Sequence, residues 1–226
     1  MARPPKIKVK TYLPTQPFPP NAERKPIRTE RLVIRPFTEE DLDAIYAIRT
    51  QPEVMHFSAV GQIDASKDET RTSYLACYLP PNDIRNYHNV LCLASTGELI
   101  GMGGMPKTDL LFGWPEVGYM LKKEYWGQGY ATEFLRAFVD HWWTLPRSEA
   151  EIEVAAESVD RSGEVPEMLS AIADDENLAS KHVLEKAGFQ KFTRWTEPDT
   201  RVGVIDDIAL VGFVLESPGQ KVKASS

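Results

Sequence analysis

The sequence predicts an α/β domain, a mixed and strongly twisted β-sheet flanked by helices, on three observations. β-prone runs bounded by Gly, Pro and polar turns recur from Leu32 to Leu215. Between them lie runs with apolar residues at helical spacing, clearest in Phe134, Leu135, Phe138, Val139 and Trp142. One strand also runs into a Gly-x-Gly turn, Gly127-Gln128-Gly129, that opens this helix. With 226 residues and 42% hydrophobic content, the chain carries enough apolar material for one domain with one core.

Residues 1–28 hold seven of the 17 prolines, including Pro17-Phe18-Pro19-Pro20, and read as an extended arm lying on a domain that spans 29–215. Leu32-Val33-Ile34-Arg35 is a short strand stopped by Pro36. Thr38-Glu39-Glu40-Asp41 then carries a hydroxyl cap and acids for a first helical turn, so a helix is expected over about 39–50, with Leu42, Ile45, Tyr46 and Ile48 on its apolar face. A second amphipathic run with Tyr74, Leu75, Tyr78 and Leu79 ends at Pro80-Pro81. Runs 89–94 and 99–105 flank Ser95-Thr96-Gly97-Glu98 and predict a hairpin. The three glycines of its second strand imply close approach by a neighbour or a ligand.

A third strand, 116–121, leads into the glycine turn, and a helix follows over about 131–143. The run 150–155 reads as a strand, and the polar stretch after it, as far as Asp175, as a loop with a helical turn near Met168. A helix over 177–187 ends at Gly188, and two β-prone segments, 189–195 and 204–215, close the domain. Residues 216–226 read as a flexible tail.

A net charge of −7 and a pI near 5.2 argue against nonspecific binding to nucleic acid or anionic membrane. Cys77 and Cys92 form neither a CxxC pair nor part of a His cluster, so they read as small buried hydrophobes rather than as a disulfide framework or a metal site. The sequence shows no apolar run of membrane-spanning length, and its start lacks the apolar centre of a secretory signal, so a cytoplasmic location is expected.

A strand entering a Gly-x-Gly turn that opens a helix has a definite chemistry. Bare backbone permits close approach, and unpaired amides with the helix dipole attract an anion such as a pyrophosphate. On its own this pattern equally serves any tight strand-to-helix turn. The chain has neither the Gly-Lys-Ser/Thr of a P-loop nor a full GxGxxG, which disfavours nucleotide hydrolysis and dinucleotide binding.

Gly118-Tyr119-Met120-Leu121 followed by Tyr125-Trp126-Gly127-Gln128-Gly129-Tyr130-Ala131-Thr132-Glu133 resembles the acetyl-CoA motif of GNAT acyltransferases. Asn177-Leu178-Ala179-Ser180-Lys181-His182-Val183-Leu184-Glu185-Lys186-Ala187-Gly188-Phe189 resembles the same family's pantetheine-side helix. With Thr29-Glu30-Arg31-Leu32-Val33-Ile34-Arg35-Pro36, these segments look most like the branch that acetylates ribosomal-protein N-termini.

The resemblance implies a GNAT fold, acetyl-CoA as acyl donor, and direct acetyl transfer to a primary amine, either a peptide or protein N-terminus or a small amine. It places the backbone of Met120 and Leu121 along the pantetheine arm and amides of Gln128, Gly129, Tyr130, Ala131 and Thr132 on the pyrophosphate, after the turn at Gly127. Asn177 and Ser180 fall near the reactive end. Trp126 stands where the family's common pattern has Gln or Arg, which implies cover by packing rather than by charge. Leu184 stands where many members carry a tyrosine acid, so Ser180 is the candidate partner of the leaving thiolate. Glu116 is the candidate base, and no metal is implied.

Other positions carry less. His56 falls where the family forms its acceptor-side wall, His182 reads as exposed, and Glu151 and Glu153 as a solvated edge. Trp195 either packs or meets substrate. Two rival readings are a CoA-binding regulatory module without turnover and an unrelated phosphate-binding α/β protein.

Overall fold

The computed structural model describes residues 5–106, 111–201 and 204–219. In chain order it begins with β1 (Lys6–Pro14), β2 (Ile27–Arg28) and β3 (Leu32–Arg35), followed by α1 (Leu42–Arg49) and α2 (Pro52–His56). A single turn, α3 (Lys67–Glu69), runs on through a π turn and a 3-10 turn as far as Cys77. The hairpin β4 (Tyr87–Leu93) and β5 (Leu99–Met105), then β6 (Gly118–Leu121), lead to α4 (Tyr130–Trp142). After it come β7 (Arg147–Ala155), β8 (Gly163–Glu164), β9 (Met168–Asp174), α5 (Leu178–Lys186) and the closing hairpin of β10 (Gln190–Pro198) and β11 (Asp207–Glu216). None of the helices among the described residues is long and apolar enough to cross a membrane.

Local signals place several of these elements. Thr38 and Asp41 form a reciprocal capping box ahead of α1, with the Thr38 amide donating to Asp41 Oδ2 at 2.8 Å. The stripe Phe134, Leu135, Phe138, Val139 and Trp142 is fully buried along α4. Gly188, at φ +95°, ends α5 in the left-handed conformation that favours glycine.

The strands make three sheets, ordered β2-β3-β4-β5-β6, β10-β11-β9 and β7-β1-β8. The first two meet at one parallel bridge between Glu116 and Ser170. There the Val117 amide donates to Ser170 O at 2.9 Å, and the Ser170 amide to Pro115 O at 2.8 Å. Helix α4 packs on one face of the five-stranded sheet, and the glycines of β5 allow it to come close. A Cβ on Gly103 would lie 2.5 Å from Phe134 Cζ, and one on Gly104 would lie 3.1 Å from Phe138 Cε2. The opposite face carries Leu42, Ile45 and Ile48 of α1 against Val90 and Met102.

Two expectations are corrected, the first by the third sheet. The first 28 residues contain β1, which pairs along its length with β7 so that Lys8 faces Glu153, Lys10 faces Glu151 and Tyr12 faces Glu149. Composition concealed this strand because its alternation, Lys6-Ile7-Lys8-Val9-Lys10, is set among prolines. The acids at 151 and 153 therefore lie opposite lysines, and Lys10 is also paired with Glu164 of β8. On the inner face, Val9 and Val154 join Phe112, Trp114, Val165 and Trp195 in a core, so Trp195 packs.

The second correction concerns 157–175. Met168–Asp174, expected within a polar loop, is a buried strand, and its Ser170 bridges Glu116 just ahead of β6. Its run of small and apolar residues, Leu169-Ser170-Ala171-Ile172-Ala173, is short and was masked by flanking polarity. Helix α2 was not expected, the run around Tyr74 is irregular rather than one helix, and Cys77 is exposed while Cys92 is buried. Phe18 is anchored between Tyr87 and Trp142, at ring distances of 5.4 and 6.1 Å. Arg24 fixes the same segment by donating to Pro19 O, Asp83 O and Asn86 O. Of the expected tail, residues 220–226 lie outside the described residues.

Because a side chain at 103 must displace Phe134, Gly103→Val is expected to lower the unfolding free energy by about 1–3 kcal/mol. Urea denaturation checks this.

Candidate active site

Beyond the bridge at Glu116 and Ser170, β6 stays paired with β5 and β9 with β11, and the two strands part. A cavity of about 600 Å³ opens between them. Val117 to Leu121 form one wall and Ala171 to Asp174 the other. A Cβ added to Gly118 would meet nothing within 4 Å.

One end of the cavity is the N-terminus of α4. Gly127 and Gly129 adopt φ of +72° and +84°, and Gly129 caps the helix without any side-chain cap. The first helical bond runs from the Glu133 amide to Gly129 O, which leaves the amides of Tyr130, Ala131 and Thr132 without an intrahelical acceptor. These three residues line the cavity, so unpaired donors and the positive end of a 13-residue helix face it.

Glu133, an anion in the same first turn, is held aside. Its carboxylate accepts from Thr29 Oγ1 at 2.6 Å, from the Arg31 amide at 3.0 Å and from Arg31 Nε at 2.6 Å. Burial works to raise its pKa, but these hydrogen bonds win and hold it below the ordinary value. Arg31 also donates to Gln128 O at 3.0 Å and lies over the Tyr130 ring, so Thr29 and Arg31 brace the glycine turn from outside. Within the turn, Trp126 Nε1 donates to Leu121 O at 2.8 Å.

Of the residues expected around an acyl donor, Met120, Leu121, Trp126, Gly127, Gly129, Tyr130, Ala131, Thr132, Asn177 and Ser180 all line this cavity. Gln128 does not; its side chain turns back to donate to Glu124 O at 2.7 Å. His182, although exposed, reaches the rim. Glu116 is half-buried at the bridge, and its side chain is not part of the cavity wall.

Asn177 caps α5, its Oδ1 accepting from the Ser180 amide at 3.0 Å. Ser180 Oγ lies 3.0 Å from the Tyr119 hydroxyl, which is also placed to donate to Ser180 O at 3.3 Å. Burial pushes the Tyr119 phenol up to about 12, the Ser180 bond pulling weakly the other way. Sequence reading did not single out Tyr119, because it sought a phenol on α5 at Leu184, which is buried in the core. The phenol comes from β6 and meets α5 at Ser180.

The far side of the cavity is aromatic. Tyr74, Tyr78 and His88 line it, with the Tyr74 hydroxyl 3.1 Å from His88 Nε2 and Phe37 stacked on both Tyr78 and His88. Burial lowers the His88 pKa to about 3 and raises the Tyr78 pKa to about 12. This wall therefore carries no charge near neutral pH. Beneath it Arg49 lies over the Tyr74 ring and forms a bidentate, buried pair with Asp64 at 2.6 and 2.8 Å.

Asp174 is the carboxylate among the described wall residues, and it faces Arg201 at 3.4 Å. Arg201 also forks onto Asp199 and donates to His56 O at 2.8 Å, tying α2 to the last hairpin. The His56 ring stays outside the cavity wall, which is formed there by Phe57, Ser58 and Ala59. Among the described residues, no cluster of His, Cys, Asp and Glu has the makings of a metal site.

The comparisons with known proteins agree with this architecture. A family model described as an acetyltransferase (GNAT) domain matches residues 31–190. An uncharacterized N-acetyltransferase, p20, of Bacillus licheniformis is 28% identical over 128 residues, covering 55% of this chain and 71% of that protein. A ribosomal L7/L12 α-N-protein acetyltransferase solved with coenzyme A superposes with a TM-score of 0.64 at 15% identity, covering 85% of this chain and 99% of that one. A Vibrio cholerae spermidine N-acetyltransferase, solved with CoA and spermine, gives a TM-score of 0.60 at 17% identity over 82% of this chain and 96% of its own.

The buried His88 binds its proton far more weakly than the same residue in the unfolded chain. Between pH 6.5 and about 3 the unfolded state therefore holds the extra proton, and stability must fall as pH falls through that window. His88→Phe is expected to flatten this acid slope, measured as the difference in urea midpoint between pH 7 and pH 5.

Proposed function

Because the chain belongs to the GNAT acetyltransferase family, we propose that it is an acetyl-CoA-dependent enzyme transferring acetyl directly to a primary amine, of which a peptide or protein α-amine is the favoured acceptor. The observation that carries this reading is the parting of β6 and β9 over a cavity that ends at the uncapped N-terminus of α4. An acyl donor with a pyrophosphate and a long, narrow arm fits both features. The amides of Tyr130 to Thr132 would hold the pyrophosphate, and the unpaired edge of β6 at Met120 and Leu121 would run beside the arm. Asn177 and Ser180, at the start of α5, lie beside that path.

For transfer, the amine must be neutral when its nitrogen attacks the thioester carbon, and the carbonyl oxygen then needs a donor. In this reading the oxygen is received by a backbone amide near Met120 and the departing sulfur by the Ser180 hydroxyl. Glu116 is the proposed base. Strand alternation gives it the same face of β6 as Gly118 and Met120, and the bridge fixes its backbone.

The choice between acceptor classes follows from charge. An unperturbed lysine amine has a pKa of about 10.4 and an α-amine about 7.7–8.0, so the α-amine needs far less help at neutral pH. The described acceptor wall offers uncharged Tyr74, Tyr78 and His88, and its one carboxylate, Asp174, is already matched by Arg201. Such a wall suits an amine that arrives neutral and has little to hold the several positive charges of a polyamine.

Three measurements test this. Calorimetry is expected to find saturable acetyl-CoA binding, and its absence would overturn the reading. Gly118→Val, which adds a side chain to open space, is expected to move the melting temperature by no more than about 2 °C while cutting acetyl transfer more than about tenfold. Glu116→Gln is expected to lower kcat/KM by about 10²-fold at neutral pH with acetyl-CoA affinity unchanged; unaltered turnover would remove Glu116 as base.

A further inference from the structure

Two hydroxyls face the same stretch of cavity wall from different elements, Tyr119 from β6 and Ser180 from α5. Their oxygens are 3.0 Å apart, and the Tyr119 hydroxyl also lies 3.3 Å from the Ser180 carbonyl oxygen. Tyr119 therefore has two places for its one proton. When it donates to the carbonyl, the Ser180 proton turns back to Tyr119, and nothing is offered to the cavity. When it donates to Ser180 Oγ, the Ser180 proton is freed to point into the cavity.

Resting on the reading of Ser180 as partner of the departing sulfur, we propose that Tyr119 is a positioning residue that turns the Ser180 hydroxyl toward the sulfur as the thioester breaks. The amine nitrogen bonds to the carbonyl carbon, and the surplus proton on nitrogen passes to the base. The C–S bond then breaks with its electron pair on sulfur. The sulfur is received as an anion by the Ser180 O–H and takes its proton from solvent on release. Neither hydroxyl gives up its proton; each changes its acceptor. A donor backed by a second donor is polarised by it, and a hydroxyl bonded to an anion is stronger than one bonded to a neutral group, so the pair favours the state with charge on sulfur.

The surroundings fit this use. The Tyr119 ring stands edge-on to Phe134 at 6.3 Å, and its Cβ lies where a Cβ on Gly103 would come within 3.0 Å, so the strand before it is kept bare. Burial keeps the phenol protonated through the physiological range. The Ser180 amide is bound by Asn177, which fixes the backbone from which the hydroxyl swings.

The test is steady-state kinetics on the wild type, Tyr119→Phe, Ser180→Ala and the double variant. Tyr119→Phe, which removes a single oxygen, is expected to lower kcat about tenfold while KM and the calorimetric Kd for acetyl-CoA stay within about twofold. Ser180→Ala is expected to lose at least as much, and the double variant no more than Ser180→Ala alone. With the acetyl thioester of a nitro-substituted aryl thiol, whose anion needs little stabilisation, the Tyr119→Phe loss is expected to shrink below about twofold. A multiplicative loss in the double variant, or an undiminished loss on the aryl thioester, overturns the role of Tyr119. Full activity in Ser180→Ala removes the reading of Ser180 itself, and the role of Tyr119 with it.

Discussion

A strand inside a protein normally has a partner on each side, because every backbone N–H and C=O withdrawn from water must be bonded elsewhere. The segment entering β6 and strand β9 meet this requirement around Glu116 and Ser170, where the Val117 amide donates to Ser170 O and the Ser170 amide to Pro115 O, and the two then diverge. Past that point each has a free edge facing the other across a gap. The divergence sets the position of the cavity, which the starts of α4 and α5 both border.

The divergence has to be held at its apex, and much of the surrounding structure does this. Trp114, buried two residues before Glu116, donates to Ser158 Oγ at 2.8 Å, and Ser158 in turn donates to Ala155 O. Gly113 runs so close to β7 that a Cβ there would lie 1.9 Å from Glu153 O. The sheet built from β1, β7 and β8 thus grips the chain immediately upstream of the bridge. On the other side, Arg201 links the α2 region to Asp174 at the end of β9. Residues distant in sequence fix both ends of the opening, which suits a site whose chemistry depends on fractions of an ångström.

The part of the cavity beside the glycine turn was legible in the sequence, and its aromatic side was not. The glycine turn, the helix after it and the Asn177-to-Gly188 segment are local patterns whose geometry is set by neighbours in the chain, and the candidate residues they carry lie on the cavity wall, Gln128 excepted. Strand β9 was read as loop because Met168–Asp174 is short and lies between polar residues, whereas Ala150–Ala155, correctly read as a strand, alternates more plainly. Tyr119 and Tyr74 were read only as members of a motif and of an amphipathic run, and His88 was not singled out, for a different reason. Their importance lies in what stands opposite them, Ser180 for the first and each other for the rest, and those partners are brought together only by the fold. The Lys and Glu positions of β1 and β7 were visible one at a time, but no single strand reveals that its charges match another 140 or so residues away.

That matched pair also governs the order of events during synthesis. Lys6–Pro14 is made first, yet its partner Arg147–Ala155 appears only after the five-stranded sheet and α4 have been completed. Until then β1 lacks its long antiparallel partner, and lysines at every second position, Lys6, Lys8 and Lys10, are a pattern that disfavours pairing with the wrong edge or with another chain. The strand that steadies the apex of the opening can therefore take its place only once Arg147–Ala155 has been made, and its alternating charge suits both a strand that waits for its partner and the matched pair of the folded protein.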